Sequence, residues 1–111
     1  MHRTETKRER RRHRRYEAAY PITLFDASGE VLARTRTVNI SRGGLFVHVP
    51  HDAAPPQAET VEVDLAAPGT DARVAEFFCQ ARVVRHQHVG DGDRVGVGLE
   101  FSHPLPLALG T

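Results

Sequence analysis

Val61, Val63 and Leu65 alternate with Glu62 and Asp64, a period of two that suits a strand with one dry face and one wet face. That pattern recurs in short runs along the chain and sets the fold class. Pro21 to Phe25 reads as a strand, and Asp26-Ala27-Ser28-Gly29 after it is a turn cluster that predicts a hairpin. Val31 to Ile40 returns, Ser41-Arg42-Gly43-Gly44 breaks it, and Leu45, Val47 and Val49 then share a face. Pro50, Pro55 and Pro56 keep residues 50–58 out of a sheet interior. Between Arg73 and Val84 the alternation predicts Ala75, Phe77, Cys79, Ala81 and Val83 on the core face. Gly90-Asp91-Gly92-Asp93 is a second hairpin signal. The last strand is expected to point Val95, Val97, Leu99 and Phe101 inward and Gly96, Gly98 and Glu100 outward. Six strands at short intervals predict an all-β fold, a small six-stranded antiparallel barrel. No segment after residue 16 keeps a helical period beyond a turn or two. The apolar tail Pro104 to Leu109 contains prolines that discourage a full helix.

A chain of 111 residues forms one domain with a modest core. It has no run of about 18 apolar residues, so no spanning helix is expected. Its basic N-terminus lacks an apolar segment of the secretory kind, which points to the cytoplasm. The single cysteine excludes an intrachain disulfide or a multi-cysteine zinc site. Charge is divided unevenly. Residues 1–16 hold eight Lys/Arg against Glu5 and Glu9, a surplus of +6, while the remainder sums to −5. A basic arm on an acidic body suggests an anionic partner, although a solvated tail has the same composition.

Catalysis finds no support. Cys79 lies mid-strand on the apolar face, where a buried thiol is inert. His86 and His88 share one side of a strand, opposite Cys79 if the strand is regular, but no third ligand stands at metal spacing. No glycine-rich phosphate loop precedes a helix. A non-enzymatic binding module without metal or cofactor is expected.

Two features remain. One is the arm Glu9-Arg10-Arg11-Arg12-His13-Arg14-Arg15-Tyr16, whose planar guanidinium forks suit phosphates and guanine edges. The other is Asn39-Ile40-Ser41-Arg42-Gly43-Gly44 at a strand end, with an amide, a hydroxyl and paired glycines that let backbone approach a ligand. Alone, the second is a capped turn. Together, Arg11-x-x-x-Arg15 and Asn39-x-Ser41-x-x-Gly44 closely resemble the paired motifs of PilZ domains, bacterial receptors for cyclic di-GMP. Gly96-Val97-Gly98-Leu99-Glu100-Phe101 resembles that family's closing strand.

The resemblance covers residues 9–103, leaving 1–8 as an expected disordered tail and 104–111 as a short C-terminal tail. It implies a six-stranded barrel, with Arg10, Arg11 and Arg15 gripping phosphates and guanines from the arm. It also implies that Asn39, Ser41, Gly43 and Gly44 line the barrel around a guanine. Arg10, just before the arginine pair, implies binding of a self-intercalated ligand dimer, two molecules per chain. Family members often carry a helix after the barrel, whereas this chain has a proline-containing tail. With no output domain evident, the resemblance implies a stand-alone adaptor signalling to a downstream protein. The rival reading is a nucleic-acid-binding barrel with a basic arm, which explains the charge run but gives Asn39, Ser41 and the glycines no role.

Overall fold

Residues 13–90 and 92–110 are described by the computed structural model. Their strands are β1 (Tyr16–Glu17), β2 (Pro21–Phe25), β3 (Val31–Ile40), β4 (Gly44–Pro50), β5 (Thr60–Pro68), β6 (Val74–Val89) and β7 (Arg94–Phe101), with a 3-10 turn at His51–Ala53. Every pairing is antiparallel. The order β3-β2-β5-β6-β7-β4 returns to β3 and closes a six-stranded barrel, as the turn spacing predicts. Closure removes most of the sheet edge that an open sheet of this size would expose.

β1 was not legible in the sequence, being two residues long. Tyr16 and Glu17 pair with Ile40 and Asn39. Because β4 holds the other edge of those two residues, β1 lies along the edge that β2 also uses. Thr37 bridges the gap between β1 and β2. It is buried, its hydroxyl donates to Ala18 O and accepts from Tyr20 N at 2.8 Å, and its own amide donates to Tyr20 O at 3.0 Å.

The inward faces of β5 and β7 follow the predicted alternation: Val61, Val63, Leu65, Val95, Val97, Leu99 and Phe101 are all buried. Gly96 and Gly98 face outward yet are covered. The Phe46 ring lies where a Cβ on Gly96 would come within 2.2 Å of it, and Arg85 sits 5.0 Å above that ring and beside Gly98.

β6 departs from expectation in two ways. Ala81 and Val83 are buried, but Phe77 and Cys79 are half-buried and Ala75 is exposed. The reason is topological: β7 reaches only as far as Ala81, so the first half of β6 is packed less deeply. The strand is also irregular. Val83 faces Leu99 and Arg85 faces Gly98, leaving Val84 as an extra residue. Such a bulge exchanges the faces that follow it. His86 and His88 consequently lie opposite Val97 and Val95, on the side that Cys79 uses, and not on the opposite face.

The segment after residue 103 is bound to the barrel. Leu107 is fully buried, Leu105 N donates to Arg42 O at 2.9 Å, and Ala108 N donates to Pro68 O at 3.0 Å. Burying one leucine contributes about 1.5–3 kcal/mol, so the tail closes the barrel end without forming a helix. Among the described residues no helix is long and apolar enough to cross a membrane.

Candidate ligand-binding site

The site begins with a bulge. Thr37 pairs with Val47 and Asn39 pairs with Phe46, so Val38 is an extra residue in β3. Strict alternation from buried Thr37 would turn Asn39 into the core and Ile40 out. The bulge lets Thr37 and Ile40 both point inward and leaves Asn39 half-buried on the surface.

The chain then reverses at Ser41. This residue is buried, and its amide donates to Gly44 O at 2.8 Å. Its hydroxyl accepts from Gly43 N and Gly44 N, both at 3.1 Å, and donates to Gly44 O at 3.3 Å. The Ser41 hydroxyl is thus committed to the turn, where it positions Asn39 and the glycines. Gly44 is enforced by close approach: a Cβ there would lie 2.2 Å from Leu99 O. A Cβ on Gly43 would fall 2.6 Å from the His13 ring, and Gly43 O accepts from Phe101 N at 2.8 Å. The two glycines admit the arm on one side and β7 on the other.

The arm crosses this turn. Arg15 Nη1 donates to Asn39 Oδ1 at 2.8 Å, a contact that joins the two sequence features across 24 positions. The Arg14 guanidinium lies 5.6 Å from the centre of the Tyr16 ring, and that ring packs against Gly110. Beside them is a cavity of about 300 Å³ lined by His13, Arg14, Tyr16, Arg42 and Leu109. Arg42 Nε donates to Leu107 O at 3.2 Å, which ties the turn to the tail.

Of the residues predicted from sequence, Arg15, Asn39, Ser41, Gly43 and Gly44 are brought together here, while Arg10 and Arg11 lie outside the described residues. Sequence reasoning did not single out His13, Arg14, Tyr16, Arg42 or Leu109. His13, Arg14 and Tyr16 belong to the arm, and Arg42 lies between the motif residues Ser41 and Gly44. Leu109 carries no sequence signal at all.

The opposite end of the barrel holds a smaller cavity of about 170 Å³ lined by His51, His86, Gln87, His88 and Val95. His86 Nε2 is 2.6 Å from Pro55 O. Among the described residues no three His, Cys, Asp or Glu side chains are grouped to hold a metal ion. Burial, reinforced by the carboxylate of Glu62, pushes the Cys79 thiol up to about 11.

Residues 9–110 match the family model of the PilZ domain. The chain belongs to the PilZ domain family. The match includes the tail that seals the barrel. The PilZ fold is shared with solved structures of low sequence identity. One is MotI/DgrA, the inhibitor of motility of Bacillus subtilis, with a TM-score of 0.71 and 21% identity over 89% of this chain and 44% of that one. This chain thus spans less than half of MotI. A second is the PilZ domain of CeSA from a cellulose-synthesizing bacterium, with a TM-score of 0.57 and 21% identity over 80% of each chain. A third is the PilZ domain of YcgR from Escherichia coli, solved with c-di-GMP, with a TM-score of 0.58 and 18% identity over 84% of this chain and 78% of that one. Comparison with curated protein sequences gave no match.

Proposed function

We propose that this PilZ domain is a receptor for cyclic di-GMP that acts as a non-enzymatic cytoplasmic adaptor on a downstream protein. The observation that carries the reading is the Arg15–Asn39 hydrogen bond, which brings both halves of the motif to one surface beside a cavity. The likeness to the YcgR domain solved with c-di-GMP supports the ligand class.

In this reading Arg15, Arg11 and Arg10 hold phosphates and stack on guanines, and Asn39 gives and accepts hydrogen bonds at a base edge. Ser41 and Gly44 act one step back, by fixing the turn. Like charges at positions 10, 11, 12, 14 and 15 repel one another, and the two ligand phosphates relieve that repulsion. The arm, residues 8–16, then orders across the barrel opening and presents a changed charge surface to the partner. Arg10 supports a stoichiometry of two intercalated ligands.

Calorimetric titration with cyclic di-GMP tests this. Arg15→Ala and Asn39→Ala each remove a contact worth about 1.5–3 kcal/mol if one partner is charged, a loss of roughly 10- to 150-fold in affinity. Saturation at one ligand removes the dimer, and unchanged amide exchange in residues 8–16 removes the ordering of the arm. Failure of the wild type to bind, with salt-sensitive capture of a short oligonucleotide instead, would favour the nucleic-acid reading.

A further inference from the structure

β6 is longer than its neighbours and is paired on both sides only at Ala81 and Arg82. Residues Val74 to Arg82 pair with β5, whereas β7 runs beside β6 only from Ala81 to Val89. Among the described residues no strand covers the other edge of residues 74–80. The hydrogen-bond phase fixes which groups that edge presents. Val83 N donates to Glu59 O at 2.9 Å and Gly69 N donates to Arg73 O at 2.8 Å, so the odd-numbered residues of β6 exchange with β5. The even-numbered ones, Val74, Glu76, Phe78 and Gln80, aim their amides and carbonyls at the open side. Gln80 O is taken there by Ser102 N at 3.0 Å. The ladder goes no further because Pro104 has no N–H to donate and the chain turns toward Arg42.

The side chains on this edge are unusual for a strand end. Val74 is 74% exposed and Phe78 is 70% exposed. Sheet edges are ordinarily guarded by charged side chains, proline or a bulge, and Glu76 is the single charge between Val74 and Cys79. The stretch Val74-Ala75-Glu76-Phe77-Phe78-Cys79 contains no lysine or proline, and its pairing with β5 is regular throughout.

We propose that this edge pairs with the same edge of a second copy of the chain, antiparallel about a two-fold axis at Phe77. The register follows from charge and from the groups still available. An axis at Glu76 sets Glu76 against itself, and directly opposed like charges destabilise a ladder. An axis at Phe78 pairs Glu76 with Gln80, whose carbonyl is occupied, so only Phe78 is left to exchange. An axis at Phe77 moves that conflict out to Val74, which faces Gln80 of the other copy, and the ladder ends there. With the axis at Phe77, Glu76 exchanges hydrogen bonds with Phe78 of the other copy and Phe78 with its Glu76. The two Phe77 rings then meet at a non-hydrogen-bonded position, where side chains approach most closely. Ala75 stands directly opposite Cys79 of the other copy. This interface lies outside the arm and the turn, and it does not depend on the ligand.

The test uses the full chain. Sedimentation of the wild type at rising concentration is expected to show a mass climbing from the 12.3 kDa monomer toward the dimer, and Phe78→Asp is expected to remain monomeric with an unchanged melting temperature. The register is tested by cross-linking with a copper–phenanthroline oxidant. The wild type, whose sole thiol is Cys79, is mixed with the double variant Ala75→Cys, Cys79→Ser. Covalent dimer is expected in the mixture and not from either protein alone. A wild type that stays monomeric to about 1 mM overturns the proposal. So does a mixture that links no better than its components.

Discussion

Replacing Ser41 by alanine separates two roles that the sequence motif leaves merged. The substitution removes the acceptor of the Gly43 and Gly44 amides, each 3.1 Å from the hydroxyl. Gly44 is buried, so its amide finds no water in exchange, and a stranded buried donor costs about 1–3 kcal/mol. Gly43 is half-buried, where losing a hydrogen bond costs about 0.5–1.5 kcal/mol. No acceptor is stranded, because Gly44 O keeps the Ser41 amide at 2.8 Å. The total is about 1.5–4.5 kcal/mol, a fall of roughly 5–20 °C in Tm for a domain of this size. Urea unfolding of wild type and Ser41→Ala, with m compared to confirm the same transition, measures it directly. Arg15→Ala provides the contrast, since its bond to Asn39 is exposed and surface changes of this kind stay within about 0.5 kcal/mol. Ser41→Ala is therefore expected to lose stability and ligand affinity together, and Arg15→Ala affinity alone. A stability loss below about 0.5 kcal/mol for Ser41→Ala would refute the reasoning and return the hydroxyl to the ligand.

Three further outcomes follow from other parts of the barrel. Gly44→Ala drives a Cβ to 2.2 Å from Leu99 O, a backbone atom that can move only with β7, and overpacking of this kind costs about 1–3 kcal/mol or more, read as a lower Tm and faster amide exchange at the β4–β7 junction. Leu107→Ala opens a cavity under the tail and should lower stability by about 2–5 kcal/mol in urea unfolding; a loss below about 1 kcal/mol would show that the tail does not seal the core. With the Cys79 thiol held at about 11 against an ordinary 9.0, its alkylation by iodoacetamide at pH 8 should be about 100-fold slower than that of an exposed thiol and rise about tenfold per pH unit. Because the folded state favours the neutral thiol, the associated stability is intact below pH 9.0 and is lost as pH rises toward about 11.

The strands whose two faces differ in solvent exposure were readable from their residues. In β5, valine and leucine alternate with carboxylates and the pattern has one solution. β6 was misread where the pattern depends on something outside the strand. Ala75 fits the apolar phase, yet no β7 residue lies beside it. His86 and His88 lie beyond the bulge at Val84, and a bulge leaves no mark that propensity can detect. The bulge at Val38 is equally silent, although it is what brings Asn39 to the surface. Ser41 was recognisable as part of a motif, but only its burial and its bonds to Gly43 and Gly44 show it to be a holder of the turn. Arg42 and Leu109 join the cavity through the tail, a contact across 65 positions that no local pattern encodes.

The packing of Tyr16 against Gly110 has a consequence for architecture. A Cβ on Gly110 would sit 2.3 Å from the Tyr16 ring, so the two ends of the described chain meet at the rim of the candidate pocket. A domain joined directly before His13 or after Gly110 is tethered at the place where a ligand would bind. The same proximity makes the domain a natural subject for circular permutation, with the ends joined and the chain reopened at the Asp26–Gly29 hairpin tip.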